Sequence, residues 1–291
     1  MRNIKHCASR SLCCPVPKRP KADTPSSKAC LNYANDRTFC QTHLYISRSN
    51  ETNRHELQYM AHIGQKDETG FNYTWDCGGT VIHSKFVLTA AHCVIRERLV
   101  GTKEKDLVVR LGAHNTTDGD VYEVANKIPH PDYDEKTYAN DIALLELTKT
   151  VVFNDQVRPA CLTTSSGEEY DNMTVSGWGR YSRNKANDQA PELRKAELKL
   201  FKFSECPDVP QEMYICAGGD KNGSDSCDGD SGGPLARWHQ EWGSCLGQVF
   251  AVVSRGSYCH TTSPRSKYTK VFYYLQWIEN VVWPVTRENT D

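Results

Sequence analysis

The stretch Asp225–Pro234 reads DSCDGDSGGP, with three carboxylates, two serines, one cysteine and three glycines in ten residues. A surface turn would use the same residue types. The alternative is chemical: Ser231 as a nucleophile, flanked by glycines that leave its backbone open. A serine hydroxyl is a poor nucleophile until a base takes its proton, and the base needs a buried acid to fix its tautomer and orientation. His92 in LTAAHC is a candidate base, with Ala90 and Ala91 small enough to let other backbone approach the imidazole. Asp141 opens NDIALLEL, a carboxylate at the mouth of an apolar strand. Each alone has a plainer reading, as a packed histidine and a strand-end turn residue. Together they occur in the order His, Asp, Ser used by one known type of catalytic site.

The elements that must position these groups are short. From about residue 46 onward, β-branched and aromatic runs recur between turn signals, as in TVIHSKFVLTAA, DLVVRLG, DIALLELT, MTVSGWG and VFAVVSRG. That spacing predicts an all-β sandwich or barrel. Only YTKVFYYLQWIENVVW, near the C-terminus, carries apolar residues at helical spacing. No internal repeat is evident.

Composition limits the functional classes. The 291 residues are 38% hydrophobic and 24% charged, with a formal net charge of −1, so no global field favours nucleic acid or an anionic membrane. The longest apolar run, around Phe86 to Ile95, is too short to span a bilayer. Thirteen cysteines without CxxC or HxxxH pairs point to disulfides rather than zinc, hence to an oxidising compartment. Five N-x-[ST] sequons, at Asn50, Asn72, Asn115, Asn172 and Asn222, agree with a secretory route. The N-terminus MRNIKHCASRSLCCPVPKRP has no apolar core of a signal peptide, so the expectation is a fragment, an alternative transcript or an incomplete gene model.

LTAAHC around His92, DIALL after Asp141 and GDSGGP around Ser231, with CGGTVI from Cys77, VSGWG from Val175 and YTKV from Tyr268, resemble the trypsin/chymotrypsin family of serine proteases. The resemblance covers about four fifths of the chain. It implies two six-stranded antiparallel β-barrels with the active site between them and a C-terminal helix. Gly229, Ser231 and Gly233 also match G-x-S-x-G, the nucleophile elbow of α/β-hydrolases. That fold places a helix after the serine and the acid and histidine downstream, whereas here Pro234 and strand-like sequence follow, so it is rejected.

The resemblance assigns His92, Asp141 and Ser231 as the catalytic residues, and the backbone N–H groups of Gly229 and Ser231 as the oxyanion hole. Losing one such donor costs about 2.7–4 kcal/mol of transition-state stabilisation. Asp225, with Ser226, Ser254, Gly256 and Ser266, falls in the specificity pocket, and its carboxylate implies cleavage after Arg or Lys. Ser266 replaces a glycine usual on one pocket wall, which would narrow the pocket. Arg255 stands where an aromatic residue is usual; its cation either selects acidic neighbours of the cleaved bond or points into solvent. Ala113 replaces the glutamate that opens a calcium loop in trypsin, so no metal or other cofactor is expected. Asp230 resembles the acid that pairs with a newly made N-terminal ammonium. Counting back from YMAHIG places that terminus at Ile46, where the chain reads ISRS after Tyr45.

Residues 1–14 contain Cys7, Cys13 and Cys14 in the spacing C-x5-C-C-P and resemble the end of a clip domain, the module that precedes the protease in arthropod cascades. Residues 15–45 are read as a linker and activation segment, and 46–291 as the protease domain; the whole resembles the snake-like and persephone-like insect proteases. The resemblance implies disulfides Cys77–Cys93, Cys206–Cys216 and Cys227–Cys259, and a tether from Cys30 to Cys161. The pairing of Cys40 and Cys245 stays open. The function this implies is a secreted zymogen of a serine endopeptidase, cut by an upstream protease and acting on a protein substrate such as a downstream zymogen, with a serpin-type inhibitor among its partners. The alternative is a poorly activatable or silent homologue that binds partners without cutting.

Overall fold

The computed structural model describes residues 23–36, 51–67, 69–95, 106–180, 189–206, 210, 212–219, 226–238, 246–255 and 265–284. The first barrel is built from β1 (Met60–Lys66), β2 (Tyr73–His83), β3 (Phe86–Thr89), β4 (Leu107–Leu111), β5 (Asp120–Pro129) and β6 (Ala143–Leu147), in the closed order β1-β2-β3-β6-β5-β4. All its pairings are antiparallel. The register of β1 against β2 shifts between Ile63 and Gly64. A side chain at Gly64 would run into the Thr74 carbonyl and the Trp75 ring, so glycine is what allows the two strands to close there.

Beyond β7 (Cys161–Leu162), the second barrel uses β8 (Asn172–Gly177), β9 (Arg194–Leu200), β10 (Tyr214–Gly218), β11 (Pro234–Trp238), β12 (Gly247–Arg255) and β13 (Ser266–Lys270). Their order is β11-β8-β9-β10-β13-β12, and pairing of β11 with β12 closes the ring. β7 adds to β12 in parallel outside that ring. The all-β class and the two six-stranded barrels expected from the sequence are both present. Closure removes the unpaired edges that open sheets expose.

Met173, Val175, Leu198, Ile215, Leu235, Phe250 and Val253 fill the second barrel. Its strand β12 also sends Val249 and Val252 into the cluster that includes the first barrel's Val81, Leu88 and Leu144, so one strand is shared between a core and the inter-barrel packing. Buried on both faces, β12 reads as an almost unbroken apolar run rather than an alternating one.

The helical spacing read over Tyr268–Trp283 is realised only in part. Helix α3 runs Val271–Val282 and buries Val271, Tyr274, Ile278 and Val282 on one face. Tyr268, Thr269 and Lys270 belong to β13, where Tyr268 is paired with Ile215 and fully buried in the second barrel. Strand pairing, with β10 at Tyr268 and Thr269 and with β12 at all three, outweighs helical periodicity there because it also buries the Tyr268 ring.

A helix also stands where the sequence reading has a linker. Numbered from the N-terminus, it is α1 (Pro25–Asn35), and the short helix after β3 is α2 (Ala91–Val94). Thr24 caps α1 by accepting from the Ser27 amide, and Pro25 occupies its first turn. The helix is held by the Cys30–Cys161 disulfide, by the Ser26 amide and hydroxyl on Glu279 of α3, and by Tyr33 edge-on against Phe153. The clip-like residues 1–14 and the proposed terminus Ile46 lie outside the described residues.

Candidate active site

His92 sits in the first turn of α2, directly after β3. Two contacts fix that turn on β2: the Cys77–Cys93 disulfide, and the Thr89 hydroxyl, which donates to the Gly78 carbonyl at 2.8 Å. A crosslink spanning 16 residues contributes about 3 kcal/mol by restricting the unfolded chain. Cys77, His92 and Cys93 bring three possible metal-ligand atoms within 4.8 Å, but the two sulfurs are bonded to each other and offer no thiolate.

Asp141 immediately precedes Ile142 and β6, and it is fully buried. Its Oδ1 accepts from the His92 amide at 2.9 Å. Its Oδ2 lies 2.8 Å from His92 Nδ1 and also accepts the Ser254 hydroxyl at 2.6 Å. The Asp141 carbonyl accepts from the Thr269 hydroxyl at 2.9 Å. A carboxylate can only accept from the ring, so the network puts the proton on Nδ1 and leaves the Nε2 lone pair to take another. The Asp141 charge is felt beyond the imidazole: Tyr214 is pushed up to about 12, first by burial and then by Asp141. Tyr133 is raised by burial and then by Asp141, and Tyr274 by burial, then by Tyr214 and Tyr273, with Asp141 adding least.

Ser231 lies on a tight turn in which the Asp230 amide donates to Cys227 O and the Gly233 amide to Asp230 O. The turn is clamped from two sides. The Gly78 amide of β2 donates to Ser231 O at 2.7 Å, while the Gly232 amide donates to Val253 O of β12 at 2.8 Å. Gly232 has φ 78, and a side chain there would strike Thr89 Oγ1 and the Gly78 carbonyl. The serine turn is therefore pressed against the residues that lead into His92, and it is bonded to the strand residue just before Ser254. One strand end, Val253–Ser254, thus serves both the serine and the aspartate.

Gly229 has φ 98, in the region that glycine tolerates and other residues avoid. Among the described residues, neither the Gly229 nor the Ser231 amide is taken up by another group. Asp230 turns away from them: its Oδ1 accepts from the Gly179 amide at 2.8 Å and its Oδ2 from the Cys227 amide at 2.9 Å. Gly177 and Gly179 leave the room that this carboxylate fills.

Of the pocket residues read from the sequence, Ser226 is buried with its hydroxyl 3.0 Å from Tyr268 Oη. Ser254 and Ser266 are buried on β12 and β13. Asp225 and Gly256 lie outside the described residues. The expected disulfides Cys77–Cys93, Cys206–Cys216 and Cys30–Cys161 are formed. Cys227 is disulfide-bonded too, and its expected partner Cys259 is outside the described residues.

Tyr138 escaped the sequence reading. Its ring meets His92 edge-on with centroids 5.7 Å apart, and its carbonyl accepts the Tyr214 hydroxyl at 2.7 Å. The signal in the sequence is faint: an aromatic residue in the polar stretch DEKTYAN, three residues before Asp141. Thr269 was missed for a similar reason, since its hydroxyl reaches Asp141 only through the packing of β13.

Comparison with known proteins agrees with this geometry. Residues 46–278 match the Trypsin family profile. The chain is 32% identical to Serine protease snk of Drosophila melanogaster, over 94% of its own length and 68% of that protein. It is 35% identical to Phenoloxidase-activating factor 1 of Holotrichia diomphalia, over 82% and 70% of the two chains. It is 34% identical to CLIP domain-containing serine protease B15 of Anopheles gambiae, over 71% and 61%. Two closed barrels, a histidine locked to a buried aspartate and a glycine-rich serine turn clamped beside them coincide with a family match over most of the chain: the protein belongs to the trypsin family of serine endopeptidases and resembles the insect clip-domain proteases within it.

Proposed function

We propose that the protein is a secreted zymogen whose activated form hydrolyses protein substrates after Arg or Lys through Ser231, His92 and Asp141. The observation that carries the reading is the complete commitment of the buried Asp141 carboxylate to His92 and Ser254, which leaves Nε2 as the one basic atom of the ring.

In this reading His92 Nε2 takes the Ser231 hydroxyl proton as Oγ bonds to the substrate carbonyl carbon. The carbonyl oxygen becomes negative and is met by the Gly229 and Ser231 amides. Collapse of the tetrahedral species breaks the peptide C–N bond, and His92 returns the proton to the leaving amine. Water then repeats the sequence on the acyl-serine and frees the carboxylic acid and Ser231. Asp141 keeps the imidazole oriented and stabilises its charged form.

Preference for a basic residue rests on Asp225, with Ser226 on the pocket wall, while Ser266, by narrowing the pocket, works against it. A downstream zymogen as substrate, an upstream protease as activator and a serpin-type inhibitor follow from likeness to the insect relatives. Disulfides across the described chain fit an extracellular setting. A fluorophosphonate probe applied to the activated protein tests the core of the reading. Label on Ser231, lost in Ser231→Ala, is the expected result, and label surviving that substitution identifies a different nucleophile. Faster cleavage of aromatic than of arginine amides would overturn the pocket assignment.

A further inference from the structure

Arg255 ends β12 next to Ser254, and its backbone is paired with Lys267 of β13. The side chain is exposed, with the guanidinium carbon 5.4 Å from the centroid of the Tyr138 ring. Tyr138 in turn stands edge-on to His92, with the ring planes at 63°. The pedestal is held firmly. Tyr138 has φ 60, its amide donates to Asp134 O at 2.8 Å, and its carbonyl receives the Tyr214 hydroxyl. A left-handed backbone at a bulky residue is costly and persists only where the surroundings impose it.

The charge on Arg255 is not spent on any described residue. Among the described residues it forms no ion pair, and its cross-strand neighbour Lys267 has the same sign. Asp141, hydrogen-bonded to the adjacent Ser254, is fully buried, with both oxygens used by His92 and Ser254. An exposed cation–π contact contributes only about 0.5–1 kcal/mol, enough to orient the guanidinium and too little to satisfy its donors. The group therefore presents an oriented fork of N–H donors one aromatic ring away from the imidazole. A substrate carboxylate could take that fork in charge-assisted, paired hydrogen bonds.

The side of the cleaved bond follows from the pocket assignment that the resemblance gives. In sequence Arg255 lies between Ser254 and Gly256, which the family resemblance assigns to the wall of the pocket for the residue that supplies the cleaved carbonyl. Substrate residues passing over this wall are those that precede the cleaved bond.

We propose that Arg255, seated on Tyr138, is a specificity-determining residue that selects substrates with Asp or Glu shortly before the cleaved bond, two to four residues ahead of it. The proposal rests on the peptidase reading given above and adds an acidic requirement to it.

The test uses the full chain after activation and pairs of fluorogenic peptides that differ only in Glu against Gln. Glu is placed in turn at the second, third and fourth residue before the bond, each series carrying Arg, Lys or Phe at the bond itself. At one of these positions Glu is expected to raise kcat/KM by about tenfold, mainly through KM, and added salt should shrink the effect. Arg255→Gln should bring the Glu/Gln ratio close to one, and Arg255→Lys should keep part of it.

Equal rates for Glu and Gln peptides in the wild-type protein overturn the acidic selection alone. So does a ratio that Arg255→Gln leaves unchanged. Absence of cleavage of every pair overturns it as well, and fluorophosphonate labelling of Ser231 then shows whether the peptidase reading falls with it.

Discussion

The Ser254 hydroxyl donates to the same oxygen of Asp141, at 2.6 Å, that the His92 ring approaches to 2.8 Å. Because Asp141 is fully buried, water cannot replace a donor that is removed. Ser254→Ala is expected to cost about 1.5–3 kcal/mol of stability, the worth of one hydrogen bond to a charged group, since both carboxylate oxygens keep their His92 contacts. Urea unfolding at neutral pH measures this. Asp141→Asn keeps the shape but removes the acceptor that sets the tautomer, and should lower kcat by about 10,000-fold with a smaller change in stability.

Two glycines with left-handed backbone separate backbone strain from steric exclusion. Gly70 has φ 74 with open space where a side chain would project, whereas at Gly232, φ 78, a side chain meets Thr89 and Gly78. Gly70→Ala should cost about 1–2 kcal/mol, the intrinsic penalty of that conformation. Gly232→Ala adds the displacement of the serine turn or of β2, so its loss should be larger and should include amidase activity. Equal losses by denaturant titration would contradict the clamp described for Ser231.

His62 supplies a pH dependence. It is buried in β1, stacked on Trp178 at 4.5 Å and close to Trp75, which carries the Arg110 guanidinium on its ring. Burial, then the Arg110 charge, push His62 down to about 3. The unfolded chain therefore binds a proton at higher pH than the folded one. Stability from this group is complete above pH 6.5 and is lost as pH falls toward 3, with a limiting slope of about 1.4 kcal/mol per pH unit. His62→Phe should reduce that slope by about one proton, seen as a flatter decline of Tm between neutral and acid pH. An unchanged slope would mean that other groups carry the acid sensitivity.

Activation is expected to be inefficient. Cleavage between Tyr45 and Ile46 calls for an activator that cuts after aromatic residues, and Ser47, Arg48 and Ser49 follow where the resemblance leads one to expect a small apolar residue and two glycines. A segment that inserts toward Asp230 would lose backbone freedom and would need a partner for Arg48. Treatment with a panel of proteases, followed by N-terminal sequencing and an amidase assay, should yield a chain starting at Ile46 with activity raised but well below that of trypsin. Full activity in the uncut chain contradicts the zymogen reading, and none from a chain beginning at Ile46 favours the silent homologue.

Legible in the chain's own residues were the types and order of His92, Asp141 and Ser231, the strand-rich character and, through family resemblance, three disulfides that the structure forms. These are carried by short local patterns, in which side-chain period and turn residues are fixed within a few positions. Tertiary structure alone decided that Tyr268–Lys270 pair as a strand, that α1 docks on Glu279, and that Arg255 and His92 share the Tyr138 ring. Each of these depends on residues far apart in the chain meeting across a closed barrel or between two loops. Closing such contacts is set by register and packing among distant strands, and a local pattern holds no record of which distant surface it will face.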